Sequence, residues 1–260
     1  MSSIAVFDSG FGGLTVLKQL QRLMPEENYI FYGDSANAPY GDKTPEELAR
    51  LTKAVCREIL KKDSVKCFVI ACNTTTSEAL GALMEEFPDQ RFVGIEPAVR
   101  WAVKENPGSR ILVLGTTATI RGKRLKKQLS ELEGQAEISL YAATGIVPFV
   151  EGQQPDRKKF EEYLEEALLP YRKDTDCIVL GCTHFPFVKE ELQACFEKKV
   201  RFYDAAVNVA EEARDLLERE QLLEAGGQGN GSEKPAGRVI FMNSDPDKIE
   251  KEQELLKNYD

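Results

Sequence analysis

The sequence contains a single histidine, His184, and no pair of cysteines separated by two residues. Zinc sites usually need several histidines or such cysteine pairs, so no metal site is expected. The chain also has no block of basic residues, and its formal net charge is −9, which argues against a nucleic-acid partner. No apolar run approaches the roughly 18 residues that a membrane span requires.

The first residues, MSSIAVFDSG, lack the basic segment and the long apolar core of a secretory signal. The apolar stretch from Ile4 to Phe7 fits a first β-strand better. We therefore expect a cytoplasmic protein, in which the six cysteines are free thiols rather than a disulfide framework.

Short runs of β-branched residues alternate with helical patterns along the 260 residues, which is typical of an α/β fold with a mainly parallel sheet. The sequence TPEE at Thr44 predicts a capped helix start. The chain also repeats itself at an interval of about 110 residues. IAVFDSG resembles ILVLGTT, and CFVIACNT resembles CIVLGCTH, so Cys72 and Cys182 occupy equivalent positions.

This repeat predicts two pseudo-symmetric lobes, each with a mainly parallel sheet flanked by helices. We expect the first lobe to comprise residues 1–98 plus 206–260, with the tail packing back on it, and the second lobe to comprise residues 99–205. In parallel α/β folds, ligands bind beyond the carboxyl ends of the strands. The active site is therefore expected in the cleft between the lobes.

Cys72 and Cys182 each follow a buried strand and precede small polar residues, in ACNTTT and GCTHFP. A single cysteine at such a position is usually a small buried hydrophobe, whereas a matched pair favours a function. Two thiols facing each other across the cleft suit one reaction, in which one base removes a proton from a tetrahedral carbon and the other base returns a proton to the opposite face. The pair therefore predicts a racemase.

Neutral hydrogen-bond donors surround the two thiols where strands turn into helices. Helix N-termini favour anions by about 0.3–1 kcal/mol, so several of them could hold a dicarboxylate without an arginine. They could also lower the thiol pKa from ~8.5 towards ~7. These candidate donors are Ser9-Gly10, Asn73-Thr74, Thr116-Thr117 and Thr183-His184.

Asp8 and His184 are candidate acid–base partners of the thiols. His184 lies next to Cys182 in the sequence, which leaves Asp8 for Cys72. Each also has a structural alternative, since Asp8 could only cap the helix that begins near Gly12, and His184 could be a hydrogen-bonded structural residue.

Six motifs in order, FDSGFGGLTVL, YGDSANAPYG, ACNTTT, GIEP, GTTAT and GCTHFP, resemble those of the aspartate/glutamate racemase family between about Ile4 and Asp204. The resemblance implies cofactor-independent interconversion of L- and D-glutamate and a supply of D-glutamate for peptidoglycan. It implies that Cys72 and Cys182 are the bases, assisted by Asp8 and His184. The substrate contacts it implies are Asp8, Ser9, Tyr40, Gly41, Asn73, Thr74, Thr116, Thr117, Thr119, Glu151, Thr183 and His184.

Two segments depart from the family pattern: Asn37 replaces an expected arginine, and FMNSDPD replaces a more usual Thr-Ser-Gly-Asp.

The sequence leaves other functions open. Aspartate differs from glutamate by one methylene, worth only about 1–3 kcal/mol of discrimination. A single-thiol decarboxylase, a non-catalytic amino-acid-binding protein and a lysine-dependent pyridoxal phosphate racemase are weaker alternatives. The predicted partner is the small-molecule substrate, with a homodimer possible.

Overall fold

Two parallel sheets form from the short apolar runs of the chain, in a computed structural model that describes residues 2–224 and 237–258. The strands of the first sheet are β1 (Ser3–Asp8), β2 (Tyr29–Gly33), β3 (Val65–Ile70), β4 (Phe92–Gly94) and β9 (Val239–Asn243). The strands of the second sheet are β5 (Arg110–Gly115), β6 (Glu137–Ala142), β7 (Cys177–Gly181) and β8 (Arg201–Asp204). Helices flank both sheets, which confirms the predicted fold class.

The helices in chain order are α1 (Leu14–Leu23), α2 (Pro45–Lys62), α3 (Asn73–Glu78), α4 (Leu80–Glu86), α5 (Val99–Glu105), α6 (Thr117–Arg121), α7 (Lys123–Glu131), α8 (Ile146–Val150), α9 (Arg157–Leu168), α10 (Lys189–Ala194), α11 (Ala206–Arg219) and α12 (Ile249–Asn258). The TPEE motif starts α2 as predicted, because Thr44 Oγ1 accepts a hydrogen bond from the backbone N–H of Glu47 at 3.2 Å. Among the described residues, no helix combines the length and the apolar character needed to cross a membrane.

The internal repeat corresponds to a repeat in topology. The first sheet has the order β4-β3-β1-β2-β9 and the second has the order β6-β5-β7-β8, so four strands follow the same path in both. The register is repeated as well: Ile4 pairs with Cys67 across β1 and β3, and Ile111 pairs with Cys177 across β5 and β7. Equivalent strands therefore end at equivalent places, which puts Cys72 and Cys182 at matching ends of β3 and β7.

The end of the chain returns to the first sheet, as the sequence predicts. Strand β9 pairs in parallel with β2, from Tyr29 against Val239 to Gly33 against Asn243. Helix α11 packs on α1, β3 and β4, and α12 packs on α1. The segment 225–236, which falls within the predicted first lobe, lies outside the described residues.

Both faces of the central strands are buried, as expected for parallel sheets covered by helices. On β1, Ile4 and Val6 point into one apolar cluster, while Ala5 and Phe7 point into another with the inner face of α2. The first of these clusters continues into the second sheet through Val113. A shared core of this kind fixes the two sheets relative to each other, so that their carboxyl ends face one cleft.

Candidate active site

The predicted site residues are attached to the carboxyl ends of equivalent strands. Asp8 is the last residue of β1, and Cys72 follows β3 as the residue that precedes α3. On the other lobe, Thr116 follows β5 and caps α6, and Cys182 directly follows β7. Short polar residues at these points let the chain turn sharply from a buried strand into a helix, and the turns place side chains above the sheet edge.

One cavity between the lobes receives both thiols. It is partly enclosed and opens to solvent at its mouth. No lysine or arginine occurs among the described residues that line it. These residues are Ser9, Pro39, Tyr40, Gly41, Asp42, Cys72, Asn73, Thr74, Thr116, Thr117, Thr144, Val147, Pro148, Cys182, Thr183 and His184.

Three predicted substrate contacts do not line this cavity. Asp8 and Glu151 are buried behind it, beside Ser9 and His184. Thr119 lies behind Thr116, to which it is hydrogen-bonded. The other nine predicted contacts are part of the lining.

On the first lobe, the Cys72 thiol donates to Ser9 Oγ at 3.5 Å. Burial raises the pKa of Cys72, the negative charge of Asp8 raises it further, and hydrogen bonds from Thr75 and Ser9 oppose the rise. The prediction that helix-end donors lower the thiol pKa is therefore wrong for Cys72, because desolvation outweighs them.

On the second lobe, His184 bridges Cys182 and Glu151. Its Nδ1 lies 3.8 Å from Cys182 Sγ, and its Nε2 lies 2.7 Å from Glu151 Oε1, which also accepts from the backbone N–H of Phe11 at 3.0 Å. Burial lowers the pKa of His184, but Cys182, Glu151 and Asp8 together hold it well above its ordinary value. Burial also opposes ionisation of Glu151, yet His184 and the Phe11 N–H hold its pKa below the usual range. The pair therefore carries an imidazolium and a carboxylate at neutral pH.

Asp8 connects the two lobes. Its Oδ2 accepts from Thr183 Oγ1 and from the backbone N–H of Gly13, both at 3.0 Å, and its Oδ1 accepts from the N–H of Ser9 at 2.9 Å. Asp8 thus accepts a hydrogen bond at the start of α1, in line with the predicted capping role, and also binds Thr183 in the turn that carries Cys182. Burial raises the pKa of Asp8 to about 6, against the opposing influence of His184 and Thr183.

A second polar connection crosses the cavity wall through hydroxyl groups. Thr74 Oγ1 lies 2.8 Å from Thr116 Oγ1, which lies 3.0 Å from Thr119 Oγ1. Next to it, the Tyr40 hydroxyl donates to Asp34, and burial together with that carboxylate keeps the pKa of Tyr40 far above its ordinary range. Tyr40 is therefore an uncharged residue of the cavity lining.

Sequence reasoning missed five of the lining residues. Asp42 directly follows Tyr40-Gly41, so extending that motif by one residue would have found it. Pro39 directly precedes Tyr40 within the same motif. Thr144, Val147 and Pro148 carry no motif and reach the cavity because α8 packs against the segment that follows the turn after β7. The missed residues are Pro39, Asp42, Thr144, Val147 and Pro148.

The fold and the cavity together define a class of protein: a two-lobe α/β enzyme in which each lobe supplies one thiol to a shared cavity. Comparisons with known proteins identify the family. The sequence model of the family described as "Asp/Glu/Hydantoin racemase" matches residues 13–213. The chain therefore belongs to the Asp/Glu/Hydantoin racemase family and is an isomerase.

Similar proteins of known sequence and structure are also racemases. A glutamate racemase from Clostridium botulinum is 38% identical over 242 residues, covering 93% of this chain and 91% of the relative. Glutamate racemase 2 of Bacillus subtilis is 35% identical over 260 residues, covering 98% and 93%. The crystal structure of glutamate racemase isoform RacE1 from Bacillus anthracis aligns with a TM-score of 0.83 at 29% identity, covering 99% of this chain and 94% of that chain.

Proposed function

We propose that this protein interconverts L- and D-glutamate without a cofactor, with Cys72 and Cys182 as the two bases. The observation that carries the proposal is that both thiols, supplied by equivalent strand ends of different lobes, line one cavity. Racemisation needs a proton acceptor on one face of the α-carbon and a proton donor on the other, and a duplicated fold supplies such a pair. The similarity to glutamate racemases supports glutamate as the substrate.

The lining suits a small dicarboxylate. Asn73 Nδ2 is buried and has no hydrogen-bond partner among the described residues, so it is a donor available to a bound carboxylate. The hydroxyls of Ser9, Thr74 and Thr116 and the backbone of Gly41 offer further neutral contacts. Because these donors carry no net charge, they hold the acid without neutralising the thiolate that must form beside it.

The proton balance requires one thiolate and one thiol. The thiolate takes the α-proton and becomes a thiol, and the electron pair delocalises into the substrate carboxylate group. The opposite thiol then gives its proton to the other face of the carbon and becomes the new thiolate. Each turnover therefore exchanges the roles of Cys72 and Cys182, and the next substrate must be the other enantiomer unless protons re-equilibrate with solvent.

Other residues act through the two thiols. Asp8, linked through Ser9 to Cys72, assists that thiol, and the imidazolium of His184 faces Cys182 with Glu151 behind it. Thr119 orients Thr116 rather than touching the substrate. When the substrate ammonium arrives, the buried Cys72 thiol passes its proton through the Ser9 hydroxyl to the Asp8 carboxylate, since a nearby positive charge favours the thiolate.

The decisive experiment follows deuterium at the α-carbon in heavy water, starting from L-glutamate. We expect optical activity to disappear without added cofactor, and the early D-glutamate to carry deuterium while the remaining L-glutamate carries little. That asymmetry arises because the returning proton comes from the opposite thiol, which has exchanged with solvent. A binding protein would incorporate no deuterium, and a decarboxylase would release carbon dioxide instead.

Three cysteine variants locate the bases. Cys72→Ser and Cys182→Ser should each lower kcat for racemisation by about 10²–10⁴-fold, because a serine hydroxyl is a far weaker base at neutral pH. Cys195→Ser is the matched control, since its half-buried thiol lies outside the cavity, and it should keep wild-type kcat. Near-normal turnover by both active-site variants would refute the two-thiol assignment. Running aspartate in parallel tests the choice of substrate.

We propose residues 1–98 plus 206–260 and residues 99–205 as the two lobes that close on glutamate, in agreement with the return of β9 and α12 to the first sheet. A cytoplasmic location, a contribution of D-glutamate to peptidoglycan and a homodimeric state stay predictions. Light scattering of the purified protein tests the last of these.

A further inference from the structure

Glu252 of α12 is a carboxyl group with no exposed surface, located behind the active site. Its Oε1 accepts a hydrogen bond from Asn243 Nδ2 at 2.6 Å, whereas its Oε2 has no hydrogen-bond partner among the described residues. The other acidic residues of this helix, Glu250 and Glu254, are exposed. An ionised carboxylate in such a place is costly, so the group calls for a physical explanation.

Two glycines separate Glu252 from the His184–Glu151 pair. A Cβ added to Gly33 would collide with Glu252 Oε1 and lie 2.9 Å from the carbonyl oxygen of Gly10. A Cβ added to Gly10 would collide with Glu151 Oε1 and lie 3.0 Å from His184 Nε2. Close packing therefore runs from the Glu252 carboxyl to the backbone of Gly33, from there to the backbone of Gly10, and from Gly10 to the His184–Glu151 pair.

The charges that face Glu252 come mostly from other carboxyl groups. Burial raises its pKa, the hydrogen bond from Asn243 opposes the rise, and Glu151 and Asp8 add to it, giving a value of about 8. Lys248 also faces this region, but its Nζ donates to the backbone carbonyl of Glu151 at 3.3 Å. Two more lysines approach from packed elements without facing the carboxyl: Lys18 on α1 donates to Leu256 O, and Lys251 lies over the Phe11 ring.

We propose that Glu252 is a positioning residue for the racemase site, an uncharged carboxylic acid that backs the Gly10 turn and so keeps Glu151 and His184 in place behind Cys182. This inference rests on the proposed function. When Glu252 ionises, its charge faces the Gly10 carbonyl and the Glu151 carboxylate, which repel it. The added negative charge also disfavours a thiolate in the same buried region. Turnover should therefore decline as Glu252 loses its proton.

The test measures kcat and KM for L-glutamate against pH in the full-length protein. We expect the wild type to lose kcat with a midpoint near pH 8. Glu252→Gln, which cannot ionise but keeps the shape, should retain kcat at pH 7 within about twofold and lose this decline. Glu252→Ala should lower kcat about tenfold with little change in KM, because it removes support for the proton-transfer pair and leaves the substrate contacts intact.

Glu254→Gln is the matched control, since it removes an exposed carboxylate from the same helix, and it should keep the wild-type pH profile. If Glu252→Gln declines at the same pH as the wild type, Glu252 has no such role. Wild-type protein that exchanges no α-proton at any pH would instead refute the proposed function. The two failures are therefore distinguishable.

A measurement on the wild type alone covers the case in which the variants do not fold. Infrared spectroscopy should detect a protonated carboxylic acid that disappears between about pH 7 and about pH 9, the interval in which a buried acid of raised pKa ionises. The band should persist in Glu254→Gln. Absence of any protonated carboxyl at pH 7 would overturn the proposal whatever the activity.

Discussion

His184, the only histidine of the chain, holds a proton despite complete burial. Its two ring nitrogens face Cys182 and Glu151. These partners stabilise the positive charge of the imidazolium without contact with solvent. At the scale of single residues, the site thus places one positive charge among several acids. Desolvation raises the pKa of Cys72, so the first lobe presents a protonated thiol beside the Asp8 carboxylate, where the second presents an ion pair.

Glu151→Gln tests this ion pair directly. The substitution keeps the shape of the side chain but removes its negative charge, so the pKa of His184 should fall. Because the chain has a single histidine, nuclear magnetic resonance of histidine-labelled protein reports His184 without ambiguity. The titration midpoint should drop by at least about one pH unit, and kcat should fall about 10–100-fold. Exposed Glu161→Gln serves as the control; an unchanged His184 titration in Glu151→Gln would contradict the assignment.

At the scale of elements, the turn from β1 to α1 is one part of the first lobe that reaches the second. Gly10 and Gly12 approach Glu151, His184 and Thr183 so closely that neither position has room for a side chain. The same turn donates the Phe11 N–H to Glu151 and the Gly13 N–H to Asp8. Its glycines are therefore needed for contact between the lobes, rather than for an unusual backbone conformation.

Gly10→Ala should lower kcat by at least about tenfold, because the new methyl group would displace the Glu151 carboxylate from His184. The matched control is Gly81→Ala in α4, where nothing lies within 4 Å of the added Cβ. That control should keep kcat and raise stability by about 0.5–1 kcal/mol, since alanine favours a helix. Steady-state kinetics and chemical unfolding of both variants give the comparison. Equal kcat in the two variants would show that the turn tolerates bulk.

At the scale of the whole molecule, the lobes meet through a shared apolar core and through buried polar contacts at the cleft. The polar contacts join Thr183 to Asp8, Phe11 to Glu151 and Thr74 to Thr116. Two of these groups, Asp8 and Glu151, titrate, so the contacts between the lobes depend on pH. Asp8, Glu252 and His184 all keep protons in the folded state at pH values where the unfolded chain has released them.

Stability should therefore fall as pH rises from about 5 to about 9, because the folded state binds more protons than the unfolded state throughout this range. Below about pH 4.5 the lowered pKa of Glu151 acts in the other direction. Glu252→Gln should melt several degrees higher than the wild type near pH 8 and no higher near pH 5. Calorimetry across this range checks the expectation. Parallel melting curves for both proteins at every pH would disprove it.

The sequence by itself determined the local features of this protein. The strand-end motifs, the Thr44 cap and the matched positions of Cys72 and Cys182 depend on neighbours in the chain and on a repeat that can be counted. The repeat also implies that the two sheets resemble each other, because similar segments fold into similar units. The eleven lining residues predicted in advance all belong to such motifs.

The tertiary structure decided what depends on distant segments. No local pattern marks Thr144 or Pro148 as cavity residues, pairs Glu151 with His184 across the chain, or buries Glu252 behind the Gly10 turn. The same is true of the Cys72 pKa, for which the motif suggested a decrease and the fold gives an increase. The physical reason is that desolvation and Coulomb energies depend on everything packed around a group, whereas a motif shows only the residues next to it.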